Sequence, residues 1–176
     1  VISPAKKMKP QLTTRLSYTE PVFVEDAAIL HQVAKKKKAT DLQKLMGISE
    51  KLAALNHSRF SEMTFPQPTE AAQAALGLFA GDTYIGLDAG TLSDEDLGYA
   101  QDHLRILSGL YGILKPLDII QPYRLEMGTK LKNPRGANLY SFWGPKIAQS
   151  LNETEAESPI VINLASKEYF SAIDQK

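Results

Sequence analysis

The sequence predicts a mixed α/β fold in which helices surround a mixed sheet, with one largely helical insertion. Apolar residues recur at helical spacing over much of residues 25–80, which we interpret as the insertion. Residues 160–164 are rich in branched apolar side chains, a pattern typical of a strand covered on both faces. Two further strand candidates lie at residues 83–86 and 104–110. We therefore expect a single domain over residues 1–176.

The first part of the insertion carries several helix signals. Residues 25–38 have apolar side chains at helical spacing, and the four lysines at 35–38 suit the negative end of a helix dipole. Thr40 followed by Gln43 is a capping-box pair, which predicts that the next helix starts there. Gly47 is the residue expected to end that helix.

Both ends of the chain look cut. It begins with Val1 rather than methionine, and residues 1–2 resemble the tail of a buried strand. It stops at Lys176, shortly after a helix starts near residues 165–170. From the sequence we therefore expect a fragment that lacks the C-terminal part of a larger fold.

Composition places the chain among globular proteins. Of its 176 residues, 43% are hydrophobic and 23% are charged, which is enough apolar material for one core. The sequence contains no cysteine, which excludes disulfides and thiolate metal sites. No apolar run approaches the about 18 residues of a transmembrane helix, and the N-terminal residues show no signal peptide. We expect a cytoplasmic protein with no membrane partner.

The formal net charge of zero hides four blocks of alternating sign. Residues 1–60 carry a net +6, residues 61–103 a net −8, residues 104–146 a net +5 and residues 147–176 a net −3. Such alternation can place one basic and one acidic face on the same molecule, and a basic face attracts phosphate polymers. The blocks can equally be solvated surfaces that never unite, and the sequence leaves both interpretations open.

A short turn between two predicted helices resembles the helix-hairpin-helix motif of DNA-binding proteins. That motif joins its helices through an apolar-Gly-apolar-Gly turn, and here Gly47 and Ile48 take the first glycine and the central apolar position. Ser49 replaces the second glycine, which departs from the motif, and serine at this position is also predicted to cap the second helix. Glycine lets backbone amides approach a phosphate closely, and the N-terminus of the second helix adds partial positive charge.

Three cations accompany this turn: Lys44, Lys51 and, further along the second helix, Arg59. Together with the three turn residues they form our candidate DNA-binding site. Phosphate contacts position a protein without reading bases, so we expect binding of double-stranded DNA with little sequence preference. The alternative is an ordinary αα-hairpin closed by a C-cap glycine, with no ligand.

A second candidate site is a pocket for a small anion. Its members come from a loop after the first predicted strand, a segment after Pro122 and the end of the last predicted strand. They are Ser3, Lys6, Tyr123, Arg124, Glu126, Asn163 and Ser166. The alternative is that Glu126 pairs with Arg124 in an internal salt bridge that implies no ligand.

Several catalytic signatures are absent from the sequence. It has no G-x-S-x-G motif, no Walker A pattern and no dinucleotide-binding fingerprint. Its three histidines lack the spacing of a metal site. We therefore expect no cofactor and no metal site, and the sequence favours a binding protein over an enzyme without deciding between them.

Seven segments together carry a family resemblance, among them ISPAK at 2–6, LRILSGLYG at 104–112 and QPYRLEMG at 121–128. The others are residues 48–53, 115–118, 142–144 and 163–166. On these motifs, over essentially its whole length, the chain resembles the YaaA family of bacterial peroxide-stress-resistance proteins.

The resemblance implies a cytoplasmic protein of the oxidative-stress response with an α/β fold. It also implies restraint of free intracellular iron and DNA binding through the helix-hairpin-helix, and it supplies no established catalytic residues. Without cysteine or paired histidines, a strong Fe²⁺ site would need scattered carboxylates. We therefore expect an indirect link to iron, in which the protein shields DNA from iron-driven damage by binding it.

Overall fold

The computed structural model describes residues 1–9, 12, 16–67, 73–154 and 160–173. Over these residues the chain is a mixed α/β protein in which short helices outnumber strands, as the sequence predicts in outline. None of the helices in this part of the chain has the length and apolar character needed to cross a bilayer.

Nine α-helices and four strands lie in the described ranges. The helices are α1 (Val24–Lys35), α2 (Ala39–Met46), α3 (Glu50–Glu62), α4 (Ala75–Leu78), α5 (Asp82–Leu87), α6 (Asp94–His103), α7 (Leu139–Trp143), α8 (Lys146–Thr154) and α9 (Lys167–Phe170). The strands are β1 (Gln73–Ala74), β2 (Ile106–Ser108), β3 (Gly112–Leu114) and β4 (Ile119–Ile120). A 3₁₀ turn at Ala89–Thr91 connects α5 to α6.

In the described residues the named strands form two small antiparallel sheets rather than one mixed sheet. β1 pairs with β4, and β2 pairs with β3. Strands of two or three residues are too short to build a wide sheet. A parallel contact is nevertheless present, because the Ile2 amide donates to the Arg105 carbonyl and the Leu107 amide donates to the Ile2 carbonyl, both at 3.0 Å.

Of two further strand predictions, one is confirmed and the other is wrong. Residues 104–110 do contain a strand, β2, but residues 83–86 lie inside α5. There Tyr84 is buried while Ile85 is 71% exposed, so a single turn of helix places one large side chain inward.

Residues 160–164 do not form the predicted doubly covered strand. Their backbone pairs with the N-terminus, since the Val1 amino group donates to the Ile162 carbonyl at 2.7 Å and the Leu164 amide donates to the Val1 carbonyl at 2.9 Å. Ile160, Ile162 and Leu164 are each more than two-thirds exposed. The segment is therefore extended and aligned beside residues 1–2, but its apolar side chains face solvent.

The three helices α1, α2 and α3 follow one another and pack together, with α3 in contact with both others. α1 ends at Lys35, so the remaining lysines of the 35–38 run lie in the connection to α2. Thr40 is not the cap of α2, because the helix begins one residue earlier and Asp41 accepts the amide of Lys38 at 3.0 Å. Asp41, at the third helical position, thus takes the role expected of Gln43.

A buried carboxylate ties α1 to the C-terminal helices. Asp26 accepts from Lys146 Nζ at 2.8 Å and pairs with Arg135. Burial alone would raise the pKa of Asp26, but the hydrogen bonds and charges of Lys146 and Arg135 hold that pKa below its ordinary value.

Replacing Asp26 with asparagine is expected to lower the free energy of unfolding by about 1–2 kcal/mol at pH 7, allowing for the solvent around both cations. A depressed carboxyl pKa stabilises the fold above the unfolded-state pKa, and this stabilisation is lost as the pH falls through the lower folded-state pKa. The difference between wild type and Asp26→Asn should therefore shrink below about pH 4. Urea unfolding from pH 7 to pH 2 measures it, and a difference that stays constant would contradict this account.

Candidate functional site

The turn between α2 and α3 has the geometry of a helical hairpin closed by glycine. Gly47 ends α2 in the left-handed region, with φ of 61°, and its amide donates to the Gln43 carbonyl. Ile48 is buried under the turn, while Gly47 and Ser49 are exposed. The bend is therefore anchored by one apolar side chain and leaves its backbone open to solvent.

Ser49 caps α3, as the sequence predicts. Its hydroxyl accepts the Leu52 amide at 3.3 Å. The amides of Glu50 and Lys51 precede that of Leu52 in the first turn of α3. No carbonyl of the same helix is positioned to accept from them, and they carry the positive end of the helix dipole. A Cβ built on Gly47 meets no atom within 4 Å. The turn is therefore open, and two helix amides are available to bind a phosphate.

The three predicted cations do not share one environment. Lys44 on α2 and Lys51 on α3 are exposed. Arg59 lies near the end of α3 and is half-buried, and this burial lowers its pKa. Arg59 is therefore poorly placed to share a phosphate with the turn, because it lies ten residues after the N-cap Ser49, about 15 Å along the helix.

Lys44 instead belongs to a group of lysines that sequence reasoning missed. A recess of about 380 Å³ beside α2 brings together side chains from the α1–α2 connection, α2 and a later loop. Its lining residues are Lys37, Asp41, Lys44, Leu45, Lys130, Leu131 and Lys132. We call this recess the lysine groove. Four cations against one carboxylate make it strongly positive.

A local sequence pattern does indicate the loop that lines one side of the lysine groove. Leu131 is buried, and the two lysines that flank it are exposed. The pattern Lys-Leu-Lys thus anchors the loop by its centre and turns both ammonium groups outward. What the sequence does not show is that this loop meets α2.

The second candidate site does form in part, around one carboxylate. Glu126 Oε2 lies 3.1 Å from Lys6 Nζ, and Glu126 Oε1 accepts from Arg124 Nε at 3.1 Å and from its terminal nitrogen at 2.8 Å. Arg124 and Glu126 are mostly buried, with side chains 16% and 22% exposed, whereas the Lys6 side chain is 64% exposed. The predicted salt bridge and the predicted meeting of Lys6 with Arg124 are therefore both present.

The serines of this site join two distant segments. The Ser166 amide donates to Ser3 Oγ at 2.9 Å, which fixes the start of α9 against the N-terminal loop. Asn163 is exposed, and its side-chain oxygen accepts the Ala165 amide at 2.8 Å, within its own loop. Tyr123 is buried and shares a hydrogen bond of 2.6 Å with Ser108. Its hydroxyl is therefore engaged in the core rather than offered to a ligand.

Two residues of α9 complete the surroundings of Glu126. Tyr169 lines the same small recess as Lys6, Arg124 and Glu126, and burial raises its pKa so that its hydroxyl stays protonated. Glu168 accepts the Gly128 amide at 2.7 Å. Sequence reasoning missed both, because nothing local shows that α9 packs beside the loop after Pro122.

The two candidate sites are neighbours. Glu126 and Glu168 line a recess of about 220 Å³ together with Leu45 and Met46 at the end of α2, directly before the turn. Leu45 also lines the lysine groove. The hairpin, the lysine groove and the Glu126 site thus follow one another along a continuous surface.

This geometry defines a class of protein, a mixed α/β fold with an exposed helical hairpin beside a cationic groove. The family model described as "Peroxide stress protein YaaA" matches residues 1–176. The chain therefore belongs to the YaaA family of peroxide stress proteins, as its motifs predict.

Curated relatives agree with this assignment. UPF0246 proteins of Dinoroseobacter shibae and Pseudoalteromonas translucida are each 52% identical to the chain, over 176 and 181 residues. A UPF0246 protein of Jannaschia is 51% identical over 181 residues. The alignments cover 99–100% of this chain but only 66%, 69% and 68% of these relatives, so the chain spans about two-thirds of their length.

Proposed function

We propose that the protein contributes to peroxide resistance by binding double-stranded DNA through the α2–α3 hairpin and the lysine groove. The observation that carries the proposal is the position of Lys44. It lies on the last turn of α2, three residues before the open bend, and also lines the lysine groove. One DNA backbone can therefore contact the turn amides and the lysines at once.

Charge and geometry favour a phosphate backbone as the ligand. The hairpin supplies helix-end amides, which bind phosphate oxygens by hydrogen bonds and by the helix dipole. The lysine groove supplies point charges that need no fixed approach angle. Neither feature reads a base edge, so the binding is tolerant of sequence and strongly dependent on salt.

The link to iron follows from this mode of binding. Hydroxyl radicals formed where iron meets peroxide react close to their place of origin. A protein that covers the DNA backbone keeps iron and its radicals at a distance, without binding the metal itself. Protection would then scale with occupancy on DNA rather than with iron content.

A salt-dependent binding experiment tests the proposal. Fluorescence anisotropy with a labelled duplex, from 50 to 300 mM NaCl, should give log affinity falling with log salt by about 0.9 for each phosphate neutralised. Lys44→Glu/Lys51→Glu should weaken binding at least about tenfold, because two phosphate contacts become repulsive. The matched control is Lys9→Glu/Lys115→Glu, the same charge change at exposed lysines outside both surfaces. Equal binding by the hairpin variant and wild type would remove the hairpin from the account.

A second function, the binding of a small anion, is favoured by the meeting of Lys6 and Arg124. Two cations from distant segments converge on one point, which is the geometry of an anion site. In the structure Glu126 occupies that point and pairs with both cations. A small anion must displace this carboxylate, so DNA binding remains the better-supported function.

A further inference from the structure

We propose that Lys6 and Glu126 form an amine–carboxylate site that reacts with the aldehyde of an abasic nucleotide in DNA. This inference rests on the proposed DNA binding, because the substrate is a damaged strand held by the hairpin. It assigns to the Glu126 site a reaction rather than a structural ion pair.

The arrangement of the three charged side chains favours chemistry at Lys6. Arg124 holds Glu126 through two hydrogen bonds to the same oxygen, Oε1, which fixes the carboxylate. The other oxygen, Oε2, faces Lys6 Nζ at 3.1 Å. The Lys6 side chain is 64% exposed and that of Glu126 is 22% exposed, so the amine is on the open side of the site and its carboxylate is on the closed side. The reactive nitrogen is thus accessible, and its proton acceptor is oriented.

The location of the pair selects the substrate class. Glu126 lines the recess that also contains Met46, the residue directly before the Gly47 turn. A backbone held at the turn and in the lysine groove therefore passes beside the carboxylate. Peroxide damage removes bases from DNA, and the deoxyribose left behind opens to an aldehyde, the carbonyl group with which a lysine amine condenses.

Lys6, Glu126 and water supply every group that the reaction needs. The Lys6 ammonium gives a proton to Glu126 Oε2, and the free amine attacks C1′ of the aldehyde to form a carbinolamine. Glu126 returns the proton to the hydroxyl, which leaves as water and yields an iminium ion. The carboxylate then removes a proton from C2′, the C3′–O bond breaks, and the 3′ phosphate departs. Water hydrolyses the iminium and regenerates Lys6 as its ammonium, and Glu126 releases the C2′ proton to solvent.

Borohydride trapping tests the first half of this sequence. The full chain is incubated with a labelled duplex containing one abasic site, and sodium borohydride reduces any imine to a stable protein–DNA adduct. We expect an adduct with this duplex and none with a duplex carrying tetrahydrofuran, which lacks the aldehyde. Peptide mapping should locate the adduct at Lys6.

Three variants assign the roles, each assayed at protein concentrations that saturate the duplex. Lys6→Arg keeps the positive charge but forms no imine, so trapping should fall at least tenfold, whereas Lys7→Arg should trap like wild type. Glu126→Gln keeps an acceptor for Arg124 but cannot exchange a proton, so the trapping rate should fall about 100-fold. Far-UV circular dichroism and the anisotropy titration confirm that each variant is folded and bound.

Separate outcomes overturn the two proposals. If wild type binds the duplex but gives no adduct, or if Lys6→Arg is trapped as efficiently as wild type, the reactive-amine assignment is wrong and DNA binding stands. If Glu126→Gln reacts at the wild-type rate, the carboxylate is not the proton acceptor. If wild type fails to bind duplex even at 50 mM salt, the DNA-binding proposal fails and this inference fails with it.

Discussion

Replacing Lys44, Lys130 and Lys132 together with glutamine is expected to weaken duplex binding about 500-fold at 0.1 M salt. Each lysine that contacts a phosphate contributes about 0.9 to the slope of log affinity against log salt, so three substitutions lower the slope by about 2.7. If the affinities converge at 1 M salt, the difference at 0.1 M is ten to the power of that slope change. Anisotropy over a salt series measures both quantities in one experiment.

The control for this triple variant removes the same charge elsewhere. Lys7, Lys9 and Lys115 are exposed and belong to neither the hairpin nor the lysine groove. Their replacement by glutamine should change the slope of log affinity against log salt by much less than the about 0.9 expected for one phosphate contact. A slope that falls equally in both triple variants would show that DNA responds to overall charge and that the lysine groove is not a defined site.

The parts of the site that the sequence predicts best are those fixed by neighbouring residues. Gly47 ends α2 and Ser49 caps α3 as expected, because a left-handed glycine and an N-cap serine act within one turn of their own position. The sequence also predicts that Lys6 and Arg124 lie together, because loops that follow strands tend to converge, and in the structure both side chains contact Glu126.

The parts that the sequence could not predict depend on contacts between distant segments. Lys130 and Lys132 belong to the site only because their loop packs beside α2. Tyr169 and Glu168 belong to it because α9 is held in place by distant segments: the Ser166 amide donates to Ser3, and the Tyr140 hydroxyl donates to the Glu168 carbonyl. Hydrophobic spacing defines elements but carries no information about which loop meets which helix.

The errors in the strand predictions have a related cause. Residues 83–86 and 160–164 both have apolar runs too short to separate a helical turn from a strand by periodicity. In the first, the glycine at 81 and the buried Tyr84 favour one helical turn. In the second, the backbone is extended as predicted, but the side chains are exposed, because burial depends on what packs over them rather than on their own composition.

Replacing Gly109 with alanine is expected to destabilise the fold by about 2–3 kcal/mol and to disturb the Glu126 site at the same time. A Cβ at this position would lie 2.2 Å from the Leu125 carbonyl oxygen and 3.1 Å from the Glu126 carbonyl carbon. Both atoms are backbone, so the segment carrying Glu126 must move. The opposite side of the turn is also held, because Trp143 Nε1 donates to the Gly109 carbonyl at 3.1 Å.

Gly98→Ala provides the matched control, with an expected effect of the opposite sign. Gly98 lies inside α6 with nothing within 4 Å of an added Cβ, so alanine should stabilise the helix by about 0.5–1 kcal/mol. Urea unfolding of both variants measures the two changes. If Gly109→Ala were as stable as wild type, the close approach of residues 109 and 125 would not be a constraint of the native fold. A stable Gly109→Ala variant would also indicate that Glu126 does not depend on this contact for its position, and borohydride trapping with that variant should then match wild type.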